Sequence, residues 1–253
     1  MYHFHITNHT LKTNQIYLGN CLELMQQLDE KSIDCIICDP PYGSHTIEWD
    51  KPLPFDKLWE QYERIIKPNG NILIFAFNMF AHKLALSNEK LYRYDLIWKK
   101  SKCGSPLTAK YMPMKKHEYI LVFGKSAAKY NPQMTEGEPY KRKWTPNKVN
   151  NMQYGIEGVV TNNKGTRHPT TILDFQQKWR RQDQLHPTQK PIELLEWLIK
   201  TYSNEHDIVL DNCMGSGTTI VAAINTNRQY IGMDTDENYF NITQNRIENL
   251  ISK

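Results

Sequence analysis

The segment Ile208-Val209-Leu210-Asp211-Asn212-Cys213-Met214-Gly215-Ser216-Gly217-Thr218-Thr219 constrains the fold of this chain more than any other. A short apolar strand runs into a glycine-rich turn and then into the start of a helix. Glycines there let the backbone pass close to a ligand, and in open α/β sheets ligands sit at the carboxyl ends of strands. No Gly-Lys-Ser/Thr follows, which argues against a phosphate-binding P-loop, and the GxGxxG spacing of a dinucleotide site is missing. A ligand with less phosphate is indicated. About 20 residues on, Ile231-Gly232-Met233-Asp234 ends the next strand in a carboxylate that can accept both hydroxyls of a ribose. A single glycine turn is more often structural than not. Strand, turn, helix, strand and terminal acid in register favour a nucleoside-containing cofactor.

The rest of the chain supplies the sheet this motif needs. Gln15 to Leu18 reads as a short strand, Cys21 to Leu28 as a helix, and Ile33 to Cys38 as a buried strand stopped by Pro40-Pro41. A helix from Phe55 to Ile66 ends at Pro68-Asn69-Gly70, and Asn71 to Phe77 is a strand. Met79 to Asn88 follows as a helix, then Arg93 to Trp98 and Glu118 to Phe123 as strands. After a long irregular stretch, Pro191 suits the first turn of a helix to Tyr202; Asp207 to Leu210 and Gln229 to Met233 are strands, with helices over Thr218 to Asn225 and Asp236 to Ile251. Alternation of this kind implies an α/β fold, a Rossmann-like, mostly parallel sheet covered on both faces.

From Gly124 to Leu185 no period is sustained, and the stretch is too long for an ordinary connection, so it reads as an inserted lobe. The expected organisation is residues 1–124 and 186–253 as two halves of one domain, with the lobe at 125–185. Charge sets the middle of the chain apart. The net charge is +4, yet Lys99 to Leu185 holds 17 Lys/Arg against 6 Asp/Glu, a balance of +11. That leaves 14 against 21, or −7, for the remainder. A basic middle between acidic flanks suits a polyanion, nucleic acid first, although a solvated basic loop region would look the same.

Other function classes fall away on composition. At 40% hydrophobic and 23% charged the chain is neither disordered nor fibrous. No run approaches the ~20 apolar residues of a membrane span, and Met1-Tyr2-His3-Phe4-His5 lacks the order of a signal peptide, so a cytoplasmic protein is expected. Five unevenly spaced cysteines argue for reduced thiols. Cys35 and Cys38 fall on opposite faces of one strand and read as core rather than half a zinc site, and His3, His5 and His9 read as an edge segment; no metal is expected.

Asp39-Pro40-Pro41-Tyr42 is the second chemical signal. Consecutive prolines fix φ and remove donors, leaving Asp39 and the Pro40 carbonyl as paired acceptors at a strand end. The pair suits a ligand offering two N–H bonds from one nitrogen, with the Tyr42 ring beside it. A proline turn that merely ends the strand is the plain alternative.

With Leu18-Gly19-Asn20-Cys21, the DPPY tetrad, His186-Pro187-Thr188-Gln189-Lys190-Pro191 and Asp211 to Thr219 in that order, the chain resembles the permuted class of S-adenosylmethionine-dependent DNA amino-methyltransferases. The resemblance covers nearly the whole length, and the tetrad is the form typical of adenine-N6 enzymes. It implies that Asp39, Pro40, Pro41 and Tyr42 are catalytic, and that Asn20, Cys21, Asp39, Thr188, Lys190, Asp211, Asn212, Gly215, Gly217, Asp234 and Thr235 bind S-adenosylmethionine. Asn20 stands where the family commonly has Asp, and Asp234 where many relatives carry Glu.

The implied reaction flips adenine from duplex DNA, stacks it on Tyr42, and methylates its exocyclic amine directly. Duplex DNA is the expected partner, at Lys102, Lys110, Lys115, Lys116, Lys141, Arg142, Lys143, Trp144, Arg180 and Arg181. A homodimer and a restriction partner are further expectations of the resemblance. A cytosine-N4 or RNA-base methyltransferase, and a binding protein that has lost turnover, remain the alternatives.

Overall fold

The computed structural model describes residues 10–43, 51–104, 106–125, 128–143, 147–149, 152–154, 160–176 and 189–252. Short apolar runs make an eight-stranded sheet. In chain order the N-terminal part comprises β1 (Gln15–Leu18), α1 (Cys21–Met25), β2 (Ile33–Cys38), α2 (Phe55–Ile65), β3 (Ile66–Ala76), α3 (Asn78–Ser87), β4 (Tyr92–Gly104) and β5 (Lys115–Gly124). Six short strands follow: β6 (Thr135–Glu136), β7 (Tyr140–Lys143), β8 (Asn147–Val149), β9 (Met152–Tyr154), β10 (Val160–Asn163) and β11 (Thr166–Arg167). Then come β12 (Ile172–Leu173), α4 (Ile192–Tyr202), β13 (Ile208–Asp211), α5 (Thr218–Asn225), β14 (Gln229–Asp234) and α6 (Glu237–Ile251).

The large sheet runs β1-β14-β13-β2-β3-β5-β4-β12. Its pairings are parallel except at β5, which is antiparallel to both β3 and β4. Alternate residues of each strand feed two separate cores. Ile36, Ile72, Ile74, Leu121, Phe123 and Leu210 pack with Met25, Leu58, Tyr62 and Leu84 of α1 to α3. Cys35, Ile37, Leu73, Phe75, Ile120, Val122 and Val209 pack with Leu194, Leu198, Ile220 and Ile247 of α4 to α6. Burial on both faces explains why the central strands read as continuous apolar runs.

Several boundaries differ from the sequence reading: β4 runs on to Gly104 and β5 begins at Lys115, because the two pair with each other beyond their apolar runs. The first helix ends at Met25 rather than Leu28, with Arg64 donating to the carbonyls of Met25 and Leu28 at 2.7 Å each. Pro68-Asn69-Gly70 lies inside β3, where Ile66 pairs with Ile33 and Asn71 with Cys35, leaving a bulge between. Prolines inside sheets are confined to such irregularities. The outermost strand, β12, comes from the stretch that shows no period in sequence, since its two residues are too few to display one.

Two units separate. One holds Met1–Asn131 with Thr171–Lys253, the other Pro132–Thr170. The second is built of short antiparallel pairs, β7 with β10, β6 with β11 and β8 with β9. Among its described residues the contacts are polar. Asn163 Oδ1 accepts from Arg167 (2.6 Å) and the Gly165 N–H (2.8 Å), and the Arg167 guanidinium lies 4.8 Å from the Tyr140 ring centre. Among the described residues no helix is long and apolar enough to cross a membrane.

Candidate active site

Strand direction decides which residues meet. β1, β2, β3, β13 and β14 all end at one edge of the sheet, β4 ends there too, and the antiparallel β5 starts there. Asp39, Asp211 and Asp234 therefore stand at the carboxyl ends of three adjacent strands, β2, β13 and β14.

Both carboxylate oxygens of Asp39 are engaged. Oδ1 accepts from the Tyr42 hydroxyl at 2.5 Å, and Oδ2 accepts from the Lys190 ammonium. Lys190 is buried, with its ammonium 4.9 Å from the centre of the Phe75 ring and 3.5 Å from Glu118 Oε2. Glu118 is buried as well, and its Oε1 accepts from Lys100 at 2.5 Å. The result is an alternating row of charges, Asp39, Lys190, Glu118 and Lys100. Burial alone would depress the Lys190 ammonium, but the charges of Asp39 and Glu118 outweigh it and hold its pKa above the ordinary value. Burial would likewise raise the Glu118 carboxyl; Lys190 and Lys100 reverse that and keep it low. The Tyr42 ring packs 5.2 Å from that of Phe80, and burial with the Asp39 charge pushes its hydroxyl pKa far up. Tyr42 thus stays a neutral donor.

The glycine turn is shaped by close approach. Gly215 and Gly217 take φ of 49° and 73°, and a Cβ on Gly217 would lie 2.3 Å from Thr243 Cγ2 of α6. Thr243 Oγ1 donates to the Gly215 carbonyl at 3.0 Å, and Arg246 donates to that of Ser216. From the front, Asp234 Oδ2 accepts from the Gly215 N–H at 2.8 Å and Oδ1 from the Asp236 N–H at 2.9 Å. Burial raises the Asp234 carboxyl above its ordinary value. Asp211 is more deeply buried, which pushes its carboxyl up to about 7 despite hydrogen bonds from Thr219 and the Cys213 N–H, with like charge from Asp39 and Asp234 adding to the rise. Asn212 is buried and accepts from the Tyr62 hydroxyl at 2.6 Å. Two carboxyl groups, Asp211 and Asp234, whose ionisation is opposed chiefly by burial form a place where a cation would be welcome.

The remaining expected cofactor residues fall around this edge. Asn20 follows β1 and its Oδ1 accepts from the Leu22 N–H at 2.9 Å, capping α1, which leaves one lone pair of that oxygen and the amide donors for a ligand. Cys21 is buried at the start of that helix, and Thr235 is exposed beyond β14. Thr188 lies outside the described residues, as do Trp144, Arg180 and Arg181. Lys102, Lys110 and Lys116 are exposed where β4 and β5 meet, whereas the Lys115 ammonium is bonded to Asn78 and lies 5.0 Å from the Phe77 ring centre. Lys141, Arg142 and Lys143 are exposed on β7 of the small unit.

Glu118, Lys100, Thr243 and Arg246 were not among the residues singled out from sequence. A carboxylate opening the apolar run Glu118 to Phe123 was the available signal for the first; the others carry none, because their roles exist only through contacts across the fold.

Comparison with known proteins identifies the family. The family described as DNA methylase, N6_N4_Mtase, matches residues 33–245. The Type II methyltransferase M.HpaI of Haemophilus parainfluenzae is 29% identical over 251 residues, covering 92% of this chain and 74% of its own. M1.MboII of Moraxella bovis is 28% identical, covering 91% and 95%. Among solved structures, the M1.HpyAVI–SAM complex superposes with a TM-score of 0.62 at 27% identity, covering 92% of this chain and 98% of that one. The cytosine-N4-specific PvuII DNA methyltransferase superposes at 0.68, covering 94% and 88%; at 18% identity it speaks for the fold alone.

Proposed function

The chain belongs to the N6/N4 DNA methylase family, and we propose that it transfers the methyl group of S-adenosylmethionine to the exocyclic N6 amine of adenine in duplex DNA. The observation that carries this is Asp39, fixed by Tyr42 and Lys190, one strand away from the glycine turn and its buried carboxyls.

The residues fit the cofactor. Asp234 and Asp211 flank a turn whose glycines bring backbone to the surface, and the acidic edge matches a ligand carrying a sulfonium charge. When bound, S-adenosylmethionine supplies an electrophilic methyl group; the rest is the work of the chain. An exocyclic amine is a weak nucleophile because its lone pair is delocalised into the ring. A carboxylate has about four acceptor positions, so Asp39 retains two beyond those used by Tyr42 and Lys190. An amine N–H donated there and another to the Pro40 carbonyl would draw the nitrogen toward tetrahedral geometry and localise the pair. Lys190 and Tyr42 hold the acceptor still, so little reorganisation accompanies the reaction. The amine nitrogen would gain the methyl carbon and give up one proton to solvent along its hydrogen bond to Asp39, with the Pro40 carbonyl still holding the other N–H.

Transfer of tritiated methyl groups to duplex DNA, followed by nucleoside analysis, tests the proposal. N6-methyldeoxyadenosine is the expected product. N4-methyldeoxycytidine would overturn the choice of base, and the absence of label would overturn the enzyme. The finer parts of the proposal are a restriction partner of the same specificity, in keeping with the likeness to Type II methyltransferases, and a homodimer acting in the cytoplasm, which the family resemblance implies. Protection of methylated DNA from cleavage and sedimentation of the protein test these.

A further inference from the structure

β4 and β5 form the longest antiparallel pair in the sheet, and their connection, residues 106–114, leaves it at the same edge as Asp39. That connection is a small ordered turn. The Ala109 N–H donates to the Pro106 carbonyl at 3.2 Å, and those of Tyr111 and Met112 donate to Thr108 at 2.9 and 3.1 Å. Its root is fixed to the catalytic edge by Lys115, whose ammonium is bonded to Asn78, the first residue of α3, just past β3.

What the turn presents is unusual for a solvent-facing loop. Leu107 is 93% exposed and Tyr111 88%, with Met112 and Met114 about half exposed beside them. Large apolar side chains fully in water mark a surface that meets something. The surroundings say what. From Lys99 to His117 there are six lysines and no acidic residue. Such a field repels a second copy of the same surface and draws in a polyanion. An apolar tip on a basic stem is the form taken by side chains that wedge between base steps.

We propose that this tip enters duplex DNA beside the target and occupies the space vacated by the flipped adenine, with Leu107 and Tyr111 as the inserted side chains. The inference rests on the DNA-methylation function proposed above and assigns a part of it to residues with no role in the chemistry. The reach is adequate. Between Glu118 at the site and Met114 at the tip the strand covers about 13 Å, the scale of a major groove ~12 Å wide. Unstacking and unpairing a base costs a few kcal/mol, and a side chain that fills the gap offsets part of it. Lysines at the stem would hold neighbouring phosphates while contributing no sequence choice.

The test uses the full-length Leu107→Ala/Tyr111→Ala double variant, whose exposed positions leave the fold intact, and a duplex carrying the target adenine mapped from methylated DNA. With 2-aminopurine at the target, wild-type enzyme should raise fluorescence on binding and the variant should raise it several-fold less. Single-turnover methylation of the adenine duplex should fall tenfold or more. On a duplex with an abasic site opposite the target, where extrusion is cheap, the variant should recover to within about threefold of wild type. Equal rates on the matched duplex would overturn the proposal, as would a loss that persists on the abasic duplex, which would move the tip's role to chemistry or folding. Wild-type rates in the variant together with variant-sensitive binding to phosphatidylserine vesicles would reassign the tip to a membrane. A wild-type enzyme inactive on every duplex would refute the underlying function itself, an outcome separate from all of these.

Discussion

Asp211→Asn should stabilise the ligand-free protein at pH 8 while weakening its hold on S-adenosylmethionine. The Asp211 carboxyl titrates near 3.8 in an unfolded chain and at about 7 in the fold, chiefly because it is buried. A carboxyl that holds its proton more tightly when folded contributes stability that is fully present below the unfolded value. That contribution is lost as pH rises toward 7, so above 7 the fold carries an ionised, desolvated group. A rise of that size corresponds to on the order of 4 kcal/mol, an upper figure given how far the surroundings can relax. Asparagine keeps an acceptor for the Cys213 N–H, now at 3.1 Å, and never ionises. Urea denaturation between pH 4 and 8 should therefore show wild type losing stability across the window and the variant holding level, at least 1 to 2 kcal/mol more stable at pH 8. The cofactor reverses the balance, since its sulfonium charge favours the ionised carboxylate. Calorimetric affinity of wild type should weaken by up to tenfold per pH unit below about 7, whereas the variant should bind weakly and without that dependence. Parallel stability profiles for the two proteins from pH 4 to 8 would refute the assignment of a raised carboxyl.

Glu118→Gln removes one of two charges that keep Lys190 protonated, so kcat should fall about tenfold with the DNA KM within twofold, and the alkaline limb of the kcat profile should move to lower pH; a pH profile shaped like wild type would show that Glu118 only packs. Gly217→Ala places a Cβ against Thr243 at positive φ and should destabilise the fold by about 2 to 4 kcal/mol by urea titration; a variant of unchanged midpoint would show that the turn can shift. Asp234→Ala should weaken S-adenosylmethionine binding by about tenfold or more, read by calorimetry, with affinity within twofold of wild type counting against a ribose contact. The Lys141→Ala/Arg142→Ala/Lys143→Ala variant should lower DNA affinity and flatten the salt dependence, by about 0.9 in log–log slope per lost phosphate contact; equal slopes would exclude β7 from the interface.

Much of the sheet was legible because its strands are buried on both faces, so runs such as Ile33–Cys38 and Ile208–Asp211 announce themselves by composition alone. Thr218–Asn225 shows its helix equally plainly, starting where the glycine turn ends. What stayed hidden was set by pairing. Nothing in Lys115–Gly124 says that it runs against β3 and β4, and the two residues of β12 acquire strand character only by lying along Ile97 and Trp98. The site divided the same way. Asp39 and the glycine turn follow from their motifs, whereas Lys190 reads from sequence as a cofactor ligand and in the fold grips the Asp39 carboxylate.

The reversed strand also explains how charge is arranged along the edge. Acidic groups occupy one side, Asp211 on β13 and Asp234 on β14, while Lys100 and Lys102 at the end of β4 and Lys115 and Lys116 at the start of β5 occupy the other. Had β5 run parallel, its lysines would stand at the opposite edge, and Glu118 could not reach Lys190. Asp39 on β2 lies between the two fields, paired to the basic side through Lys190. A cation is drawn to the first side and a polyanion to the second, so the two reactants approach the same carboxylate without competing for it. On the proposed reading, in which Asp211 faces the cofactor, methyl transfer neutralises the sulfonium and with it the attraction to a carboxyl that burial already inclines toward its neutral form. The demethylated product would then be held less tightly than the cofactor, and the buried carboxyl that costs the empty fold stability would favour release.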